Sequence, residues 1–361
     1  MKKIATGLGL VLAIGAVTLG ATACGGGNGG EKTIEVLVQT ADHGWTGAVQ
    51  SYAQEKVAEL NKAGKYKVNL TACESATVEA NKVADLLTHK ETLHGIVMLP
   101  IDNTMEATVT KVAKEGVPFV QFDRVIKNEA IDGAASRVAN VLGDNYGIGV
   151  ATAEAFIAHG IKATDKVLIM PGDNSSVPVS RTSGFKETLM KKGGWTQAQV
   201  DAIDQTDYTN WSRQKARELF VAKGDAICNY QWIFTHDSEI AMGILEELKG
   251  SVVSQNVKDH FKNGGIKSLA SSSGLDEMYA VLEGKHKADY TTGDKKVLDT
   301  EKTYLFDVTY DPAMIQIAIQ DLVDHLEGKT VAKDHVVPVN NVDSTNVKDY
   351  RGFGRNDDYR K

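Results

Sequence analysis

Residues 95–124 read GIVMLPIDNTMEATVTKVAKEGVPFVQFDR. Gly95–Leu99 and Val117–Phe122 are short apolar runs rich in β-branched residues, the composition of strands buried on both faces. Between them, Ala107–Glu115 repeats its apolar residues at helical spacing. Strand, helix and strand within about thirty residues make a βαβ unit, and its two strands must run parallel. The polar residues then fall where each strand ends. Pro100-Ile101-Asp102-Asn103-Thr104 follows the first strand, and Asp123-Arg124 follows the second.

The same alternation extends in both directions. Upstream it predicts strand Ile34–Val38, helix Val49–Leu60, strand Tyr66–Thr71 and helix Val78–Thr88. After Gly143-Asp144-Asn145 it restarts with helix Gly147–His159, strand Lys166–Met170 and helix Thr182–Lys191. Helix Arg213–Val221, strand Ala226–Phe234, helix Ser238–Leu248 and strand Ser268–Ala270 follow. The expected class is α/β, with parallel sheets covered by helices in two domains in series. In such sheets, ligands bind at the C-terminal edges of the strands.

The composition fits this reading. The chain has 361 residues, 42% hydrophobic and 24% charged, enough for two ordinary cores. A net charge of −7 argues against nucleic acid or an anionic membrane surface as partner. Cys73 and Cys228 lack metal-ligand or CxxC spacing and read as small buried residues.

The N-terminus carries a targeting pattern. Met1-Lys2-Lys3 precede an apolar run from Leu8 to Leu19, then Ala21-Thr22-Ala23 and Cys24. These are the parts of a secretory signal, and the Gly-rich tract to Gly30 is a flexible tether. The arrangement resembles a bacterial lipoprotein signal, which implies removal of residues 1–23 and lipidation of Cys24. Residues 24–31 would then tether the body to the cell envelope. The alternative is a soluble secreted protein whose Cys24 lies in the discarded peptide. Elsewhere no apolar run is long enough to span a bilayer.

The strand-end loops collect Asp42, His43 and Trp45, then Asp123 and Arg124, then Arg181, Trp211, His236 and Asp237, with Asp307 ending a late strand. A sugar presents an apolar C–H face and a rim of hydroxyls. Trp45 and Trp211 suit the face, and the carboxylates and guanidiniums suit the rim. Other readings stand beside this one. Asp123-Arg124 also reads as a surface ion pair, and Asp237 as a helix N-cap. Asp144-Asn145 reads as a crossover turn, and Trp195 and Trp232 as packing. Arg181 has the weaker alternative, because a cation at a helix start is unfavourable unless something else needs it.

Enzyme motifs do not appear. The chain has no GxGxxG after the first strand, no GxxxxGK[ST], no G-x-S-x-G and no HExxH. The DxDxDG calcium loop is missing as well. No catalytic residue, metal or cofactor is expected. His43, His236, Asp42 and Asp123 could form acid–base pairs, but no spacing demands it.

From Thr33 to Val339 the chain resembles the periplasmic sugar-binding proteins of ABC importers, in the ribose, galactose and xylose group. The resemblance rests on Val117-Pro118 leading to Asp123-Arg124, on Gly143-Asp144-Asn145 before a Gly-rich helix, on Arg181 three residues before Gly184-Phe185, and on Asp237 through Gly243. It implies the type I periplasmic binding fold, with two doubly wound Rossmann-like lobes joined by a three-segment hinge. The expected lobes are 32–142 with 308–334, and 143–307 with 335–361. Crossovers are expected near Leu142–Asp144, after Lys302–Phe306 and near Val331–Val337.

The resemblance also implies site residues. Trp45 and Trp211 would be the stacking aromatics, and His43 a first-loop polar contact. Asp123, Arg124 and Arg181 would bind hydroxyls. Asp237 and Asp307 take positions usually held by Asn or Gln, and Ser272 one usually held by Asp. The implied function is a monomeric, lipid-anchored protein that captures a monosaccharide and delivers it to an ABC permease. A sensor-type sugar-binding protein, a nucleoside or quorum-signal binder, and an α/β enzyme are the other readings.

Overall fold

Short β-branched runs alternate with amphipathic segments along the chain, and each run becomes a strand because its residues can be buried on both faces. The computed structural model describes residues 32–41 and 44–354. In chain order the first elements are β1 (Thr33–Gln39), α1 (Gly44–Ala63), β2 (Lys67–Cys73), α2 (Ala76–Leu87) and β3 (Leu93–Met98). Then come α3 (Glu106–Glu115), β4 (Phe119–Phe122), α4 (Glu129–Asp132) and β5 (Arg137–Gly143). Next are α5 (Asn145–Ala158), β6 (Val167–Met170), α6 (Ser176–Gly193), α7 (Gln197–Asp201), β7 (Asp204–Gln205) and α8 (Arg213–Lys223). They are followed by β8 (Trp232–Thr235), α9 (Ser238–Lys249), α10 (Gln255–Lys262), β9 (Ser268–Ser273) and α11 (Asp276–Leu282). The last are β10 (Tyr304–Thr309), α12 (Met314–Leu326), β11 (Asp334–Val337) and β12 (Asn341–Asp343).

The strands form two six-stranded sheets, ordered β11-β5-β4-β3-β1-β2 and β12-β10-β9-β8-β6-β7. Every pairing is parallel except that of β12 with β10. The expected α/β class with two parallel, doubly wound lobes is therefore present. No helix among the described residues is long and apolar enough to cross a membrane.

The chain passes between the sheets three times. It leaves β5 at Gly143, leaves β10 for α12 across residues 310–313, and leaves β11 for β12 across residues 338–340. The later two crossings fall beyond the expected ones. β10 stays paired with β9 as far as Thr309↔Ser273, and β11 pairs with β5 over Asp334–Val337, within the first sheet. The lobe changes at 307/308 and 334/335 therefore move a few residues on. The crossovers also bond to one another: Asp144 N–H donates to Val337 O (3.0 Å) and Thr309 N–H to Asn340 O (3.0 Å).

Three local readings are corrected. α6 starts at Ser176, not Thr182, because Pro178 in its first turn forfeits no helical hydrogen bond. The expected strand Ala226–Phe234 is a 3₁₀ turn as far as Asn229, followed by β8. Trp45 stands in the first turn of α1 rather than on a loop. Trp195 and Trp232 are core residues, as read. Cys73 and Cys228 are free thiols, Cys73 buried and Cys228 partly so.

Candidate functional site

The C-terminal ends of both sheets face one cleft. Its walls are Gln39, Trp45, Thr46, Leu99, Asp123 and Arg124 from the first lobe, Val177, Arg181, Trp211 and Asp237 from the second, and Tyr310 from a crossover. The cleft holds about 400 Å³ of free space including its mouth, and narrows inside to a space of about 30 Å³. A cavity of that size holds about two waters, so a ring-sized ligand needs the walls to part.

The backbone that presents these side chains is unusual. Asp123 has φ 62°, and Asn210 and Trp211 have φ 51° and 60°. Left-handed conformations at non-glycine residues are strained, and strain of this kind concentrates at functional sites. Gly172 and Gly143 make room for two of the rings. A Cβ on Gly172 would overlap the Trp211 indole, and one on Gly143 would overlap the Tyr310 ring.

Arg181 is 2% exposed. It lies in the second turn of α6, and its Nε and Nη1 are bonded within the protein. Nε donates to Asn145 Oδ1 (2.9 Å), while Nη1 donates to Ser272 Oγ (3.0 Å) and to the His236 carbonyl. Its Cζ lies 4.8 Å from the Tyr310 ring centroid and 5.4 Å from that of Trp211, within cation–π range of both. Asn145 Nδ2 donates to Tyr310 Oη (3.0 Å), and that hydroxyl donates to Asp123 Oδ1. Burial pushes the Asp123 carboxyl up, opposed by Arg124, the Tyr310 hydroxyl and Arg181.

On the other wall, Arg124 Nη1 donates to the Ile101 carbonyl and Nη2 to Asp173 Oδ2 (3.2 Å). The same Asp173 oxygen accepts from Trp211 Nε1 (2.8 Å). Asp237 lines the cleft and also caps α9, accepting from Glu239 N–H (2.8 Å). Trp45 stacks on Phe122 (centroids 6.0 Å apart, planes 6° apart), and its Nε1 donates to the Tyr310 carbonyl (2.9 Å).

Comparison with known proteins places this arrangement. Residues 34–283 match the periplasmic binding protein domain. The chain belongs to the periplasmic binding protein family. That family consists of extracytoplasmic solute-binding proteins rather than enzymes. No curated sequence matches the chain significantly.

Solved structures agree on the fold. An ABC transporter solute-binding protein from Mycobacterium smegmatis with bound glycerol is 19% identical, with a TM-score of 0.67 over 90% of this chain and 99% of that one. A periplasmic solute-binding protein from Actinobacillus succinogenes with bound D-allose is 16% identical, with a TM-score of 0.67 over 89% and 100%. The arabinose-transporter binding protein of a Shewanella species, bound to L-arabinofuranose, is 13% identical, with a TM-score of 0.68 over 88% and 93%.

In this binding protein the cleft brings together Trp45, Asp123, Arg124, Arg181, Trp211 and Asp237. Three other expected contacts are corrected, because they lie behind the wall. His236 is fully buried against Phe234 (centroids 4.7 Å apart), and burial with Arg181 nearby holds its imidazole well below the usual range, hence neutral. Ser272 supports Arg181 from beneath. Asp307 Oδ2 accepts from Ser238 Oγ and Ser271 Oγ (2.6 Å each). Asp42, His43 and Cys24 lie outside the described residues. No cluster of metal-ligating side chains occurs among the described residues.

Sequence reasoning missed Tyr310, which touches four site residues from a crossover. It read Asn145, the first residue of α5, as part of a crossover turn, and it did not single out Asp173, just before α6. A polar residue just before or at a helix start, next to a strand end, was the available signal.

Proposed function

We propose that this protein captures a neutral monosaccharide between its two lobes and delivers it to an ABC permease, tethered to the cell envelope through lipidated Cys24. The observation that carries the reading is the convergence of Asp123 and Arg124 with Arg181, Trp211 and Asp237 on one cleft. These residues come from distant segments and opposite lobes. The mixture of aromatic faces, carboxyls and planar guanidiniums suits C–H faces and hydroxyls together.

Charge balance favours a neutral ligand. Arg124 is paired with Asp173, while Arg181 lies among Tyr310, Asp237 and Asp123. A charged ligand would leave one buried charge without a partner, which is costly. The bound glycerol, D-allose and L-arabinofuranose of the structural neighbours are likewise neutral polyols.

A thermal-shift screen of neutral monosaccharides, with nucleosides as the comparison set, tests the reading. Ligand at 100 times its Kd adds about 2.7 kcal/mol of apparent stability. Stabilisation by a nucleoside and by no monosaccharide would overturn it. Anchoring has a separate test. Wild type should partition with membranes, and Cys24→Ser should be released or left unprocessed. A soluble wild type with its mature terminus elsewhere would contradict the lipid anchor.

A further inference from the structure

We propose that Asp173 is an interlobe latch: its carboxylate draws Arg124 across the cleft and favours lobe closure through protein groups alone. The role rests on reading the cleft as the ligand site, but its geometry is independent of any ligand. Arg124 follows β4 in the first lobe, and Asp173 follows β6 in the second. The bond between them, 3.2 Å from Nη2 to Oδ2, therefore exists only while the lobes are together.

Each partner is held on its own side. Arg124 keeps its other terminal nitrogen on the Ile101 carbonyl of its own lobe. Asp173 keeps Oδ1 on the Ser175 N–H (3.0 Å), and its Oδ2 also accepts from Trp211 Nε1. Opening the lobes breaks one bond of this set and leaves the others intact. The pair is well shielded, with side-chain exposures of 13% for Arg124 and 20% for Asp173. Removing one partner of such a pair costs more than removing one partner of a surface ion pair. Burial raises the Asp173 carboxyl, but Arg124 and the bonds from Ser175 and Trp211 outweigh it and hold the group below its usual range.

Asp173 also links closure to ligand stacking. Trp211 sits in a strained left-handed conformation with its indole against Gly172, and Asp173 accepts the indole N–H. One carboxylate thus steadies the aromatic platform of its own lobe and reaches the guanidinium of the other.

Small-angle scattering on the full mature protein without added sugar tests the latch, at low and at high salt. Wild type should show the smaller radius of gyration at low salt and expand at high salt, because salt screens the two charges once the lobes part and so steadies the open form. Asp173→Asn keeps an acceptor for the indole but loses the charge, so its radius should be larger and insensitive to salt. Arg124→Gln should behave the same way, and the double variant should add nothing. Asp173→Glu keeps the charge and should retain salt-sensitive compaction. Radii of Asp173→Asn and Arg124→Gln equal to wild type at both salt levels would overturn the latch. Because no ligand is used, failure of the monosaccharide reading would leave this result standing on its own.

Discussion

Tyr310 donates its hydroxyl to Asp123 Oδ1, tying the crossover after β10 to the strand-end loop after β4. The same hydroxyl accepts from Asn145 at the start of α5, and the ring lies over Arg181. Hinge, first lobe and second lobe thus meet at one side chain.

Tyr310→Phe keeps the ring and removes the hydroxyl. Asp123 then loses a donor and Asn145 an acceptor, all of them buried. The expected cost is about 1–3 kcal/mol of folding stability, with weaker ligand binding as well. Thermal unfolding and calorimetry on the same preparation measure both. Unchanged stability would show that water replaces the hydroxyl without cost.

Trp45 and Trp211 should separate when each is changed to Ala. Trp45 stacks on Phe122 and belongs to the first-lobe core, so its loss should cost roughly 3–5 kcal/mol of stability besides affinity. Trp211 lies on the cleft wall, and its loss should cost roughly 2 kcal/mol of binding with a smaller effect on stability. Equal destabilisation by the two variants in chemical denaturation would contradict the distinction.

Gly172→Ala tests the seat of the indole. The added methyl overlaps the Trp211 ring and must push it into the cleft. Affinity should fall about tenfold, near 1.4 kcal/mol, in calorimetric titration while the fold persists. Wild-type affinity in this variant would mean that the platform is not held by the close approach.

Asp307 governs a pH dependence of stability. Burial pushes its carboxyl up to about 7, although Ser238 and Ser271 donate to it. An unfolded chain titrates this group near pH 3.9. Between those values the native state holds the proton more tightly. The stability from this group is therefore full below about pH 4 and is lost as pH rises through about 7. Asp307→Asn should remove that slope. Glu79 is also raised to about 7 by burial and is present in both proteins, so the difference between them isolates Asp307. Denaturation across pH 4–8 measures it, and parallel curves would contradict the assignment.

Much of this architecture was legible because strand and helix periods differ sharply and polar residues follow strand ends. Asp123, Arg124 and Trp211 stood out on those grounds alone. Asp307 and Ser272 were misplaced because β9 and β10 are buried on both faces, so alternation along them does not say which side chain faces the cleft. Tyr310 was not found because a residue beyond a strand end belongs to whichever lobe the chain enters next, and local pattern does not encode that. Asn145 read as a turn residue, and only the packing of α5 against α6 brings it to Arg181. Gly149 and Gly184 permit that packing, since a Cβ on either would overlap the facing backbone.

Calorimetric titration of neutral monosaccharides into wild type, Trp211→Ala and Arg181→Lys tests the central claim most directly. At least one sugar should bind wild type at a single saturable site. Trp211→Ala should weaken it, and so should Arg181→Lys, because an ammonium cannot reproduce the planar fork that Arg181 presents. Full-strength binding to both variants, or no binding of any monosaccharide to a folded wild type, would contradict the account.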